Sequence, residues 1–575
     1  MAWRLEIHHI DVQSSGDSTL IIVREVAPLI GIAPISRSVL IDGGRRNRFT
    51  IVHAYVGAQL GAGVPLNAII CTHYDVDHMG GLTPLLLMPG RYNNTIIYDQ
   101  GWQGGAGVDL PHQRYLRAIN GLNDNGPVPI LAGILARTRV TRTVQSDPVP
   151  PLVIPAIGAG PAAPPGGLGA IVNPPNWLLN GVGAPQDPLW NGFGGAIPPG
   201  APTMRFIAAN MFIRTAAGGI VGPIGGLGID PRNEKSLAVE VTFGNFRYYC
   251  GGDIETAQEN HIQTLLNNAN NAAGRVLAMK TSHHGANTAT SRPFVNRMRP
   301  ELAILSCGTG NQYAHPAQET VNILDGYPGL AAPHAAAPPQ PPDMPVASYL
   351  TGYQLAGPPP QSFGGDMSLT AGDPNAWPLT HGHIRLTVSA AQSGTPVQGQ
   401  TYRAVAAATR AGLTAAGAAG AIGAGAAAPI GIAAAEEAMI HGPGPAAQLV
   451  ITQAGGPAAA GAAALAAANG AIAAGNPAIM MASAVTLAAL NNGAPAARAA
   501  GAGAAAGAYY GGGTNPAVQG AVGGALVTAG LAAAAALPIA VASTAGLPNP
   551  APTFCTVNFY DLNAAPAQWV NHTHQ

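Results

Sequence analysis

The hexad at residues 73–78, HYDVDH, constrains the fold of this chain more than any other stretch of its sequence. The apolar run 68–72 precedes the hexad and predicts a short buried strand. Two glycines at 80–81 and the sequence LTPLLL follow it, which predicts a loop that turns into a helix. We therefore expect the hexad on a strand-to-helix loop, where the backbone can aim several polar side chains into one site.

Four of the six hexad side chains can bind a metal ion: His73, Asp75, Asp77 and His78. On such a loop the backbone can direct His73 and Asp75 one way and Asp77 and His78 another. Imidazole nitrogens and carboxylate oxygens are common ligands of divalent transition metals. The hexad therefore predicts two adjacent divalent cations, with a solvated polar loop as the alternative.

With its glycines, the hexad has the form His-x-Asp-x-Asp-His-x-Gly-Gly and resembles the signature loop of the metallo-β-lactamase superfamily, whose commoner form has histidine in place of Asp75. Further motifs resemble one branch of it, which includes phosphorylcholine esterases and the hydrolase domain of the DNA-uptake competence channel protein. The chain departs from that branch at Ser14-Ser15, where the turn is usually tighter. In chain order the motifs are His9-Ile10-Asp11-Val12-Gln13, Gly16-Asp17-Ser18-Thr19, Leu40-Ile41-Asp42-Gly43-Gly44, Gly252-Asp253-Ile254-Glu255, Ser282-His283-His284-Gly285 and His315-Pro316.

The resemblance covers about residues 3–325 and implies an α/β fold, the four-layer αββα metallo-β-lactamase sandwich. It also implies that Asp253 bridges two metals, and the strand-like run 246–250 agrees with a position at a strand end. We favour His284 as a ligand and His283 as a group that contacts a ligand or the substrate, and we predict Asp77 and His283 as catalytic residues. The full implied ligand set is His73, Asp75, Asp77, His78, Asp253 and His284.

Members of the superfamily often have another ligand histidine between the first motif and the bridging aspartate. Here His112 is the only histidine between residues 78 and 253, and it is either that ligand or a solvated loop residue. Losing an imidazole leaves a carboxylate-rich site, which suits manganese better than a histidine-rich one does. We therefore expect two divalent metal ions, Zn2+ first and Mn2+ as the alternative.

Composition limits the classes of partner. With 9% charged residues and a net charge of −1, the chain lacks a large electrostatic footprint for nucleic acid. Two arginine groups, at 45, 46 and 48 and at 137, 139 and 142, are either local basic patches or ordinary solvated faces. The four cysteines are far apart and are expected to be reduced and buried. The first residues show no signal-peptide pattern, which predicts a cytoplasmic protein.

Composition also divides the chain. We predict a catalytic domain at residues 1–408, an Ala/Gly-rich region at 409–550 and a strand-like tail at 551–575. Within the first, residues 143–232 form a Pro/Gly-rich insertion, expected to be mostly loop, which either roofs the metal site or lies remote from it. Trp177 and Trp190 should pack this insertion down, because large aromatic surfaces are costly to expose.

The Ala/Gly-rich region allows three structures: mainly helical packing of small residues, a low-complexity tail, or a membrane-associated segment. The run 518–543 has no charge and is long enough to span a bilayer, although Pro538 interrupts it. The tail 553–560 regains a β-like composition, and a strand there that docks on the catalytic domain would favour the packed structure.

Two classes of function fit these observations. The first is a metal-dependent hydrolase in which a metal-bound hydroxide attacks a phosphodiester, in DNA or a phosphocholine ester, because an oxygen-rich site suits phosphate chemistry. The same hydroxide could attack a lactam, lactone or thioester. The second is a non-catalytic scaffold whose Ala/Gly-rich region mediates association or membrane insertion. The retained ligands favour the enzyme.

Overall fold

The computed structural model describes most of residues 2–122, residues 139–140, most of residues 187–307, and residues 313, 315–324, 347–351, 382–393, 555–561 and 568–574. The predicted Ala/Gly-rich region 409–550, the run 518–543, Trp177 and the arginines 137 and 142 lie outside the described residues. The predicted roles of these segments remain predictions. Among the described helices, none is both long and apolar enough to cross a membrane.

The described strands are β1 (Trp3–His9), β2 (Thr19–Glu25), β3 (Ser36–Ile41), β4 (Ala68–Cys71), β5 (Ile96–Asp99), β6 (Arg139–Val140), β7 (Thr203–Ala209), β8 (Phe212–Arg214), β9 (Ile220–Val221), β10 (Ala238–Phe243), β11 (Phe246–Cys250), β12 (Ala278–Lys280), β13 (Leu302–Leu305), β14 (Ala347–Leu350), β15 (Ile384–Ser389), β16 (Cys555–Asp561) and β17 (Gln568–His574). The described helices are α1 (Phe49–Leu60), α2 (Leu82–Leu86), α3 (Leu110–Ile119), α4 (Thr256–Leu266), α5 (Arg292–Met298), α6 (Gln318–Leu324) and α7 (Ala390–Ser393). Short 3-10 helices cover Arg46–Arg48, Asn233–Lys235 and Ser282–Gly285.

These strands form two mixed sheets. The first has the order β17-β16-β15-β1-β2-β3-β4-β5-β6, and the second has the order β14-β13-β12-β11-β10-β7-β8-β9. In the first sheet β3 to β6 run parallel, and in the second β11 to β14 run parallel. Because the carboxyl ends of parallel strands share one edge, the loops after them can meet there.

Three hydrophobic cores define the layers. One core joins the two sheets face to face, with Leu5 and Ile7 of β1 against Val239 and Val241 of β10. A second core packs α1, α2 and α3 on the outer face of the first sheet. A third packs α4, α5 and α6 on the outer face of the second. This α/β arrangement of two mixed sheets is compatible with the predicted four-layer sandwich.

Two local predictions made from the sequence are confirmed. The hexad lies between β4 and α2, as expected for a strand-to-helix loop. The strand-like run 246–250 is β11, which forms an antiparallel hairpin with β10 that turns at Gly244-Asn245. Gly244 has a φ of 56°, a conformation that glycine adopts without steric cost.

The predicted tail strand also docks on the first sheet. The strand β16 pairs with β15, and Cys555 and Val557 are fully buried in the core between the sheets. Along β15 buried and half-buried residues alternate, as in a strand with one face on the core.

The insertion 143–232 is more regular than its composition suggested. Its described part contains β7, β8 and β9, three strands that the sequence did not predict, and the prediction of mostly loop for the whole insertion stays a prediction. The strand β7 pairs with β10, and this long-range pairing outweighs the surrounding prolines and glycines. Trp190 is buried and packs edge-on against Trp3 with ring centroids 5.7 Å apart, which confirms its predicted packing. Trp3 begins β1, so this contact lies at the opposite end of that strand from the site described next.

Candidate metal centre

Loops from both sheets meet at one edge and gather polar side chains there. In the first sheet, Asp42 follows β3 and the hexad follows β4, while in the second Asp253 follows β11 and the paired histidines follow β12. The strand β2 is antiparallel to β3, so Asp17, which lies just before β2, is at the same edge. The topology therefore explains how residues far apart in the sequence share one site.

Glycines let two of these loops approach closely. The Gly43 N–H donates to the His78 carbonyl at 2.8 Å, and the Gly81 N–H donates to the Gly44 carbonyl at 2.7 Å. A Cβ atom on Gly81 would lie only 1.9 Å from the Gly43 carbonyl oxygen. The Gly-Gly pair after the hexad is therefore required for the Asp42 turn to pack on the hexad loop.

One oxygen atom lies at the centre of the site. Asp253 Oδ2 is 3.2 Å from His78 Nε2, 3.5 Å from His284 Nε2, 3.7 Å from His73 Nε2 and 3.8 Å from His283 Nε2. Ligands on a tetrahedral metal with bonds of about 2.1 Å are separated by about 3.4 Å. The spacing of these donor atoms around Asp253 therefore fits metal coordination.

The two outer hexad carboxylates complete two groups of donors around Asp253. Asp75 Oδ2 is 3.8 Å from His73 Nε2, whereas Asp77 Oδ2 is 3.8 Å from His284 Nε2. One group thus consists of residues 73, 75 and 253, and the other of residues 77, 78, 253 and 284. Asp75 also forms an ion pair with Arg232, N to O 3.0 Å, so the end of the 143–232 insertion reaches the site.

Asp42 fixes the ring orientation of two histidines. The His78 Nδ1–H donates to Asp42 Oδ2 at 2.8 Å, and the Thr72 hydroxyl donates to the same oxygen at 2.7 Å. Since that hydroxyl proton is used, Thr72 Oγ1 accepts a hydrogen bond from His73 Nδ1 at 3.1 Å. Both rings therefore present an unprotonated Nε2 toward Asp253 when neutral, as a ligand must.

His284 is oriented by the backbone instead. Its Nδ1–H donates to the Ser306 carbonyl at 2.7 Å, which leaves Nε2 facing the site. His283 differs from it, because its side chain is 21% exposed and its Nδ1 contacts Thr288 Oγ1 at 3.2 Å. The two histidines have φ angles of 47° and 52°, a left-handed conformation that costs energy for non-glycine residues. Such strain often marks a functional site.

A buried ion pair lies behind the histidines. Lys280 Nζ contacts Asp17 Oδ2, and both side chains are almost fully buried. Asp17 faces the Nδ1 sides of His284 and His78, at 3.4 and 3.9 Å. Because Asp42 and Ser306 already bind those Nδ1 atoms, Asp17 supports the rings from behind.

The residues present fit a divalent cation. Asp17, His78, Asp253 and His284 each offer a donor atom, all within 4.8 Å of one another, and this buried group could hold a metal ion. Among the described residues, His73 Nε2 and Asp253 Oδ1 are buried without a hydrogen-bond partner. Buried polar atoms are normally paired, so open donor atoms in this group agree with a role in metal binding. We consider Asp77 a better ligand than Asp17, since Lys280 already neutralises Asp17.

The charges agree with this arrangement. Burial alone would lower the pKa of His78, but Asp253 and Asp42 raise it well above its usual value. Burial would also lower the pKa of His284, but Asp253 and Asp17 raise it to about 9. Burial, and then the neighbouring His78, lower the pKa of His73 well below its usual value. The carboxylates therefore attract positive charge, while His73 stays neutral.

Two further histidines from the sequence motifs lie near the site. His315 is close to both paired histidines, with ring centroids 5.4 Å from His283 and 6.1 Å from His284. His112 lies in α3, and its buried ring stacks on Tyr74 of the hexad with centroids 3.8 Å apart. The prediction of a solvated loop position for His112 is therefore wrong, and its role as a ligand remains a prediction.

Three site residues had no role assigned from the sequence: Asp17, Asp42 and Lys280. Asp17 and Asp42 stood in recognised motifs, and their position beside Gly residues at strand ends was the available signal. Lys280 ends the apolar run 276–279, where a lysine usually faces water, so its burial could not be read from the sequence.

The prediction of reduced, buried cysteines is confirmed. All four lie among the described residues and are buried and unbridged: Cys71, Cys250, Cys307 and Cys555.

Comparison with known proteins supports part of this picture. No family model matches the chain. It is similar to ComE operon protein 3 of Bacillus subtilis (strain 168), 28% identical over 96 residues, and to competence protein ComA of Neisseria gonorrhoeae, 33% over 95 residues. It is also similar to recombination protein 2 of Haemophilus influenzae, 27% over 95 residues. These matches cover 17%, 16% and 16% of this chain but only 12%, 13% and 11% of the relatives. One of these relatives is a competence protein by its name, which is consistent with the branch that the motifs resemble.

Proposed function

We propose that this protein is a binuclear metal-dependent hydrolase of the metallo-β-lactamase fold that acts on phosphodiesters. The main support is the position of Asp253, whose Oδ2 lies within 3.8 Å of four imidazole Nε2 atoms. A carboxylate so placed can serve two cations at once. The resemblance to competence-related proteins, one of them a competence protein by name, agrees with a phosphodiester substrate.

In this proposal His73, Asp75 and Asp253 hold one ion, and Asp77, His78, His284 and Asp253 hold the other. When bound, such ions lower the pKa of a coordinated water to near neutrality and polarise a phosphoryl oxygen. The protein's own groups do the rest. Asp42 and the Ser306 carbonyl keep the ligand rings aligned, and burial excludes bulk water from their Nε2 atoms.

His283 has a different role from the ligands. It is the most exposed of the four histidines around Asp253, and Asn233 Nδ2 lies 3.5 Å from its Nε2. Its Nε2 is therefore close to the reacting centre and to solvent, as expected for a group that either transfers a proton or stabilises a developing oxyanion by a hydrogen bond. Burial lowers the pKa of His283, although Asp253 partly opposes this.

The test combines metal content and turnover in the full-length protein purified without chelators. We expect about two equivalents of zinc, manganese or iron per chain and turnover of bis-p-nitrophenyl phosphate. Asp253→Ala should lower metal content and abolish turnover, since both ions lose a charged ligand. His284→Ala should lose metal, whereas His283→Ala should keep its metal and slow turnover by about 100-fold.

Arg297→Gln, which changes an exposed residue of α5, is the matched control. A chromogenic lactam, an acyl-lactone and a thioester distinguish the carbonyl alternative. Hydrolysis of one of these without turnover of the phosphodiester would replace the proposed substrate class. Absence of stoichiometric metal, or more than about a tenth of wild-type activity in Asp253→Ala, would reject the binuclear centre.

A further inference from the structure

A basic cleft opens beside the hexad. It has a volume of about 360 Å³ and is lined by Arg45, Arg46, Asn47, Val76, Gly80, Thr83, Pro111 and Arg114. Three of these side chains carry a positive charge, and none of the lining residues is a carboxylate. One arginine group predicted from the sequence thus joins an arginine of α3 to form a concave site for an anion.

The cleft lies beside the hexad loop. Val76, which lines it, stands between Asp75 and Asp77 in the sequence, and its side chain is 43% exposed. A Cβ atom on Gly80 would lie 3.0 Å from the Arg46 backbone nitrogen, so the arginine segment packs tightly on the hexad loop. A group bound in the cleft therefore contacts the same loop that carries Asp75 and Asp77.

The arginines also stand where helix electrostatics oppose them. Arg45, Arg46 and Arg48 precede α1 immediately, and the first turn of α1 contains no acidic residue. The amino end of a helix carries a partial positive charge and favours anions. The arginine side chains therefore add to the positive potential at this end of α1, which favours an anion in the adjacent cleft.

From this geometry we infer that the cleft binds a backbone phosphate of a single-stranded nucleic acid, next to the phosphodiester that is hydrolysed. The inference rests on the proposed function and narrows its substrate class. A phosphocholine ester fits less well, because its quaternary ammonium would meet three arginines and no carboxylate or aromatic ring among the lining residues. A nucleic-acid strand instead supplies a second phosphate.

The burial of the metal-centre side chains favours a single strand over a duplex. His73 and His78 are fully buried, and a single strand reaches such atoms more easily than a duplex does. One phosphate neutralised in the cleft contributes about −0.7 to the slope of log K against log salt concentration. This contact alone should lower affinity about 3-fold between 50 and 200 mM salt.

The test measures fluorescence anisotropy of a labelled 12-nucleotide DNA strand with phosphorothioate linkages, which resist hydrolysis. The full-length protein with its own metals is compared with Arg45→Gln/Arg46→Gln/Arg114→Gln. We expect the triple variant to lose at least about 10-fold in affinity at 50 mM salt, and the slope of its log K against log salt concentration to become shallower by about 0.7. Arg297→Gln should bind like the wild type. An RNA strand of the same sequence, run in parallel, identifies which nucleic acid is preferred.

Two further measurements make the result decisive. Metal content and turnover of bis-p-nitrophenyl phosphate should stay within about twofold in the triple variant, since that small ester does not reach the cleft. If circular dichroism shows that the triple variant is misfolded, the exposed Arg46→Gln decides alone, with Arg46→Lys restoring part of the affinity. Equal binding by variant and wild type, or no binding by the wild type, overturns the inference. Arginine-dependent binding without any phosphodiester turnover would instead reject the proposed function.

Discussion

The buried Lys280–Asp17 pair allows a quantitative test of how the two sheets are joined. Asp17 precedes β2 of the first sheet, and Lys280 ends β12 of the second. Lys280 Nζ also donates to the Thr281 carbonyl at 3.0 Å and lies 3.4 Å from the Gly252 carbonyl. Since both side chains are almost fully buried, neither charge can be solvated if its partner is removed.

We expect Lys280→Met to lower the free energy of unfolding by about 3–5 kcal/mol, because it leaves the Asp17 carboxylate buried without its cation. Methionine preserves most of the aliphatic stem, so packing should contribute little to the loss. Asp17→Asn/Lys280→Met removes both charges and should recover at least about 2 kcal/mol of that loss. Exposed Arg297→Met is the control for loss of a cation on the surface.

The assay is urea unfolding of the metal-free full chain, because bound metal would add its own stabilisation. Burial by itself would raise the pKa of Asp17, but Lys280, followed by His284, lowers it. The contribution of the pair is therefore present above the unfolded-state pKa of about 3.9, and it is lost progressively as the pH falls below that value toward the much lower folded-state pKa. The coupled buried pair would be refuted if Lys280→Met lowered the free energy of unfolding by less than about 1 kcal/mol. It would also be refuted if the double variant were no more stable than Lys280→Met.

Three other substitutions test separate parts of the structure. Asp42→Ala should weaken metal affinity about 10- to 100-fold, measured by competition with a metal-sensitive dye, and unchanged affinity would exclude its orienting role. Burial raises the pKa of Glu259 to about 7 from 4.5, so stability present below pH 4.5 is lost as the pH rises through 7. Glu259→Gln should remove most of that dependence, about 3 kcal/mol, in unfolding curves from pH 4.5 to 8, and an unchanged profile would contradict the assignment. Val557→Ala should lower the free energy of unfolding by about 1–3 kcal/mol. Deletion of 551–575 should expose the edge of β15 and cause aggregation, measured by size-exclusion chromatography. A stable, monomeric deletion variant would show that β16 is dispensable.

Local sequence patterns predicted the elements whose signal is local. The hexad loop, the hairpin at 237–250 and the strand at 555–561 follow from apolar runs bounded by glycines or polar residues. The strands at 203–221 were missed because the prolines and glycines around them dominate the composition of the insertion. Their pairing partner, β10, lies about 30 residues later, and nothing in the segment itself encodes that pairing.

At the candidate site, too, the sequence predicted some features and could not predict those that depend on packing. Resemblance identified His73, His78, Asp253 and His284 as ligands, and the structure brings these four side chains together. It could not identify which groups hold the rings in place. Asp42 reaches His78 only because the Gly43–Gly81 approach brings two loops into contact, which is a property of the packed sheets.

Several departures from local preference occur at the same edge of the two sheets. Asp42, His283 and His284 adopt left-handed φ angles, Arg45 and Arg46 crowd a helix amino end, and a lysine is buried with an aspartate behind the histidine rings. Each of these features is unfavourable when taken alone, and a stable scaffold would have no use for them together. Left-handed non-glycine residues also occur at Asn210 and Met211, in the turn between β7 and β8, but around Asp253 such residues combine with buried charges. This combination supports the proposal that the edge binds a ligand and performs chemistry.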